Sequence, residues 1–234
     1  MAKFITIGER LSTTAPSVNK AFTERDPEPI LKRAKQQLDA GAVYLDVNIG
    51  PAENDGEDLM KWAVKLLQEN FDNVPLALDT SNKKAIEAGI SVYNRSKGKP
   101  IVNSADAGGR IENIDLAAAN DAIVIALCSA DGIAADNDER MMHCQNMLER
   151  GMGLGMDPSD LWFDPLFLVV KGMQEKQMEV LEAIKMFYHT AIFKRKCNLK
   201  HPALTFLIWS YLQKLVIAHH MDNNQNRHFL HLIR

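Results

Sequence analysis

The chain of 234 residues is poor in the groups that usually mark function. It has three cysteines, Cys128, Cys144 and Cys197, with no C-x-x-C spacing. An odd, scattered set excludes a disulfide framework and a zinc finger, and it fits a reducing cytoplasm. Aromatic residues make up only 7%. No run of about 20 apolar residues is free of polar interruptions, so a membrane span is not expected. The start, Met1-Ala2-Lys3-Phe4, has neither the apolar core nor the cleavage site of a signal peptide. No G-x-G-x-x-G or G-x-x-x-x-G-K follows the first apolar run, which argues against nucleotide binding through a glycine loop. A net charge of −3 gives no reason to expect nucleic acid or an anionic membrane as partner.

Two shortages are unevenly spread. Only one of seven histidines, His143, precedes residue 188, and no glycine follows Gly172. Residues 1–187 carry 20 basic against 29 acidic residues (−9), whereas residues 188–234 carry seven basic residues and one acid, Asp222 (+6). A domain that turns often needs glycine at its turns. The sequence therefore divides into an acidic body, 1–187, and a basic, glycine-free tail, 188–234.

The body holds six short apolar runs, each followed by a helical stretch: Phe4–Gly8, Val43–Val47, Pro75–Leu78, Pro100–Val102, Ala122–Leu127 and Leu161–Phe163. Their composition suits buried parallel strands, and their spacing averages near the ~30 residues of one βα unit. Asp26-Pro27-Glu28 supplies a helix start. Apolar residues at helical spacing predict helices over 26–41, 57–69, 82–90, 138–152 and 176–187. Alternating β and α elements imply a parallel sheet with helices outside.

Nearly every strand ends in polar residues: Glu9 and Arg10 after the first, Asp46 and Asn48 at the second, Asp79 at the third, Asn103 and Ser104 at the fourth, Asp164 at the sixth. Residues converging from many strand ends onto one mouth favour a (β/α)8 barrel over an open sheet. The set contains no histidine, so a zinc hydrolase is disfavoured, while an oxygen-rich Mg²⁺ site stays open. Cys128 and His143 read as packing residues. A carboxylate accepts two parallel hydrogen bonds from ring N–H and amino groups, and an asparagine amide offers a donor and an acceptor. Asp79, Asn103 and Asp164 are thus suited to the amino-pyrimidinone half of a pterin. The alternative is that Asp79 and Asn82 cap the next helix and Asp164-Pro165 is a turn.

These residues lie in segments that carry a family resemblance: IGER at Ile7–Arg10, GAVYLDVNIGPA at Gly41–Ala52, PLALDTSNKKAIEAGI at Pro75–Ile90, PIVNSADAGGRIEN at Pro100–Asn113, and LWFDPL at Leu161–Leu166. Over roughly 4–187 the chain resembles the pterin-binding methyltransferases of the dihydropteroate-synthase-like superfamily. It is most similar to methyltetrahydrofolate–corrinoid protein methyltransferases. The resemblance implies a (β/α)8 TIM-barrel with pterin held by Asp79, Asn103 and Asp164. Asp46, Asn48 and Glu9 stand at the same mouth and are expected to contribute to the pterin site. It further implies that the N5-methyl group of methyltetrahydrofolate passes to the cobalt of a cobalamin-type corrinoid on a partner protein. It implies no metal held by this chain, and barrels that pair as a homodimer. Dihydropteroate synthase is a poorer match, because IGER and DVNIGPA replace its first two loop patterns.

The family continues with a seventh strand bearing a GLSN-like segment, whose asparagine assists N5, and then an eighth. No G-x-S-N occurs in 188–234, so the catalytic residue is unassigned. Six βα units are recognisable, and strands seven and eight are expected to be missing or replaced. A truncated pterin-binding module without turnover is the alternative function.

Overall fold

A computed structural model describes residues 5–167 and 174–189. Six parallel strands form one sheet in sequential order: β1 (Ile7–Ser12), β2 (Tyr44–Asn48), β3 (Leu76–Asp79), β4 (Ile101–Asp106), β5 (Ile123–Leu127) and β6 (Leu161–Asp164). Seven helices connect or follow them: α1 (Pro16–Glu24), α2 (Pro27–Asp39), α3 (Gly56–Asn70), α4 (Lys83–Ser91), α5 (Glu112–Ala119), α6 (Asn137–Gly153) and α7 (Gln174–His189). The expected seventh and eighth strands, like nearly all of the tail, lie outside the described residues.

Local chemistry accounts for the helix starts. The Asp26 carboxylate accepts from the Glu28 amide, Asn82 from Ala85, and Asp136 from Glu139. Each satisfies an amide that the first helical turn leaves unpaired. Two helices escaped the sequence reading. α1 begins at Pro16 with no side-chain cap, and α5 is a short Leu-Ala segment with little amphipathic contrast.

Side chains alternate across the sheet. Leu45, Val47, Leu76, Leu78, Val102, Val124, Ala126, Leu161 and Phe163 face the helices and form the larger core with Ile30, Met60, Leu67, Ile86, Met147 and others. Ile7, Tyr44, Ala77, Ile101, Ile123, Ile125 and Trp162 form a second core on the opposite face. There the rings of Tyr44 on β2 and Trp162 on β6 meet edge to face, 5.7 Å between centroids. In a flat sheet those strands would lie about 19 Å apart. The sheet is therefore curled around the second core as a barrel wall, and an open doubly wound sheet is ruled out for this segment.

β1 and β4 each carry an extra residue. Gly8 pairs with Leu45 but Leu11 with Val47, and Asn103 pairs with Ile125 but Ala105 with Ala126. This corrects the expectation that Glu9 and Arg10 follow the first strand: β1 begins three residues later than predicted and runs to Ser12. A ladder tolerates such a bulge where the strand must re-aim its side chains. Cys128 and His143 are buried, in keeping with packing roles.

Candidate functional site

Alternation from the inner core places the six candidate residues on the concave face. Asp46 and Asn48 follow Tyr44 by two and four residues, Asp79 follows Ala77, Asn103 follows Ile101, Asp164 follows Trp162, and Glu9 follows Ile7. Asn48, Asp79 and Asn103 are direct neighbours in register on three successive strands.

They are also joined by hydrogen bonds. The Asn48 Nδ2 donates to Asp79 Oδ2 at 2.5 Å, and the Asn103 Nδ2 donates to Asp46 Oδ1 at 2.9 Å, across the intervening β3. The Asn48 Oδ1 accepts from the Gly50 amide at 3.0 Å, which fixes the orientation of its amide. Gly50 adopts φ +68°, and a Cβ there would stand 2.8 Å from Thr13 Oγ1, so the turn requires glycine. The Thr80 hydroxyl donates to the Gly50 carbonyl, and Asn82 Nδ2 to the Ala52 carbonyl. The loops after β2 and β3 are thereby tied into one rim.

Burial acts unequally on the two acids. Asp46 is 3% exposed. Desolvation, then the charge of Asp79, pushes its carboxyl well above the usual range, against the lowering effect of the Asn103 bond, and Glu9 adds a further push upward. Asp79 is raised to about 6, mainly by burial, against the Asn48 bond and the charge of Arg110. Asp164 Oδ1 accepts from the Leu166 amide at 2.8 Å. Asp164-Pro165 forms a turn, and the carboxyl that closes it also faces the barrel. Asp79 makes no helix cap; Asn82 does.

Asp106 and Arg110 were missed. The β4 bulge returns Asp106 to the inner side, in register with Leu127. Its Oδ1 accepts from the Gly108 and Arg110 amides, and its Oδ2 from Arg110 Nε at 2.7 Å. Arg110 Nη1 reaches Ser104 Oγ at 3.2 Å. The Arg110 guanidinium is thus fastened near Asp79 as its counter-charge. Strict period-two counting from Asn103 sends residue 106 outward, so only the Gly-Gly turn that follows hints at it. Among the described residues, no group of three or more His, Cys, Asp or Glu side chains is placed to hold a metal ion. None of their helices is long and apolar enough to cross a membrane.

Residues 8–200 match the profile of a family described as pterin binding enzyme. A curated relative, the methylcorrinoid:tetrahydrofolate methyltransferase of Eubacterium limosum, is 29% identical over 171 residues, 71% of this chain. The chain spans 62% of that relative's length. Among solved structures, dihydropteroate synthase of Yersinia pestis bound to a pterin–sulfa conjugate superposes with a TM-score of 0.58 at 20% identity. It covers 80% of this chain and 68% of its own. The 7,8-dihydropteroate synthase of Vibrio fischeri does so with 0.59 at 16% identity, over 80% and 70%. At such identities the structural likeness speaks for the barrel fold alone.

Proposed function

The chain belongs to the pterin-binding enzymes, and on that premise we propose that its barrel mouth holds a tetrahydrofolate for methyl transfer to or from a corrinoid protein. The observation that carries the reading is the set Asp79, Asn103 and Asp164 on the concave face, at the ends of β3 and β6 and within β4 just before its bulge. The two carboxylates suit the amino and ring N–H groups of a pterin edge, and the amide carbonyl suits a further donor. Asn48 and Asp46 are hydrogen-bonded to this set and Glu9 stands beside Asp46, so all three belong to the same proposed pterin site.

The chemistry proposed is an exchange of one methyl group. In one direction the N5–C bond breaks with its electron pair left on N5, while the electron pair of reduced cobalt forms the Co–C bond. In the other, N5 attacks the methyl group and cobalt keeps the pair. The relative's name makes the methylcorrinoid the donor, the reverse of the direction the sequence resemblance suggested. Both directions pass one transition state, so the same groups serve them. Catalysis requires charge at N5 to be stabilised as the bond to carbon changes.

A second reading, a pterin-binding module without turnover, is favoured by one fact: 188–234 contains no G-x-S-N. Calorimetry with N5-methyltetrahydrofolate on the full chain and on Asp79→Ala tests the site. Binding by the wild type, weakened about tenfold or more in the variant, is expected. Absence of binding by the folded chain would overturn both readings. Methyl transfer to a reduced corrinoid then separates enzyme from module.

A further inference from the structure

The buried acid of the mouth has a job that the ligand contacts leave unexplained. Asp46 lies beneath Asp79 and Asn103 and is almost completely enclosed. Among the described residues no cation is hydrogen-bonded or ion-paired to it. The groups that face it are Asn103 from β4, Asp79 from β3 and Glu9 from β1. The Asp46 Oδ1 accepts from Asn103 Nδ2, a neutral donor, at 2.9 Å. A carboxyl so enclosed, among acids and with no cation beside it, is held at the least cost when one of the cluster carries a proton.

The surroundings decide which one. Asp79 receives the Asn48 N–H and the field of Arg110, both of which favour the anion. Asp46 is the more enclosed and has a second acid, Glu9, for a neighbour. We propose that Asp46 works as a neutral carboxylic acid, a positioning residue that accepts from Asn103 and places no second anion beneath Asp79.

The consequence is directional. With one Asn103 N–H spent on Asp46, the Asn103 carbonyl oxygen is turned away from the acid as an acceptor. With no second anion beneath it, Asp79 keeps its full negative charge at the mouth. Both faces then favour a ligand edge rich in N–H donors. A reduced pterin has such an edge, with a hydrogen on N8 that the fully oxidised ring lacks. This rests on the pterin reading above for its ligand, though not for the state of the acid.

Infrared spectroscopy of the ligand-free full chain tests the acid directly. At pH 8, where ordinary carboxyls are ionised, the C=O stretch of a protonated carboxyl is expected in the wild type and absent from Asp46→Asn. The second arm is calorimetry with N5-methyltetrahydrofolate. Asp46→Asn, which keeps one acceptor and one donor, is expected to bind within about threefold of the wild type, and Asp46→Ala about ten- to hundredfold more weakly. Wild-type affinity should fall on the alkaline side as Asp46 ionises, and that of Asp46→Asn should not.

A wild type without the acid band, or a band unchanged in Asp46→Asn, overturns the proposal. So does an Asp46→Asn chain that fails to fold or binds as poorly as Asp46→Ala. A folded wild type that binds no pterin at any pH overturns the functional reading instead, while the infrared result still decides this one.

Discussion

Replacing Asp79 with asparagine should weaken the ligand site and strengthen the fold. In the folded chain this carboxyl rises from its ordinary 3.8 to about 6. Roughly two units at 1.36 kcal/mol each place about 3 kcal/mol against the ionised form. The sign follows from linkage: the folded state binds the proton more tightly than the unfolded chain does. The contribution of Asp79 to stability is thus present below pH about 4 and lost as pH rises through about 6. Asparagine escapes that loss. It carries no charge, so the Asn48 N–H loses its charged partner, a cost of about 1–2 kcal/mol. The net gain is about 1–2 kcal/mol at pH 7.5, or about 2–8 °C in Tm for a chain of this length. Thermal melts followed by circular dichroism at pH 7.5 and pH 4.5 read both values. The gap should close or reverse at the lower pH. A variant less stable than wild type at pH 7.5, or a gap indifferent to pH, refutes the reasoning.

Affinity for a reduced folate should rise as pH goes from 5 to 7, because Asp79 must be ionised to accept two N–H groups; calorimetry across that range checks it, and a flat profile contradicts the role. Arg140, 1% exposed, holds Glu179 of α7, the Asn137 side chain and the Pro165 carbonyl beside Asp164. Arg140→Ala should cost about 2–4 kcal/mol by urea unfolding, and a loss below about 1 kcal/mol would mean that the α6–α7 contact does not depend on it. Gly89→Ala sets a Cβ 2.6 Å from Met60 Cγ and 3.0 Å from Leu78 Cδ1. It should lower stability by about 1–3 kcal/mol without touching the mouth, and a neutral melt would show that α3 and α4 have slack.

Much of the barrel is legible in the linear chain because buried parallel strands are apolar on both faces, and runs such as Ile123–Leu127 stand out between polar turns. The caps Asp26 and Asn82 are equally plain, since each is a polar side chain set at the first residues of an apolar periodicity. The strand-end residues could be collected for the same reason. What the chain conceals is pairing across strands. Nothing near Asn48 announces that its amide is given to Asp79, 31 residues away, or that Asn103 spends a proton on Asp46. α1 went unread because its start depends on Pro16 rather than on a capping side chain. Asp106 went unread because counting by twos fails wherever a strand bulges.

That bulge has a further consequence for how such a chain can change over time. Between Asn103 and Asp106 three steps along β4 match two along β5. Deleting the extra residue would restore regular pairing and leave Asp106 facing inward, two positions after Asn103. Removing two residues would instead turn Asp106 toward the helices and release Arg110. Natural variants should therefore differ here by a single residue more readily than by two, a record kept in spacing alone.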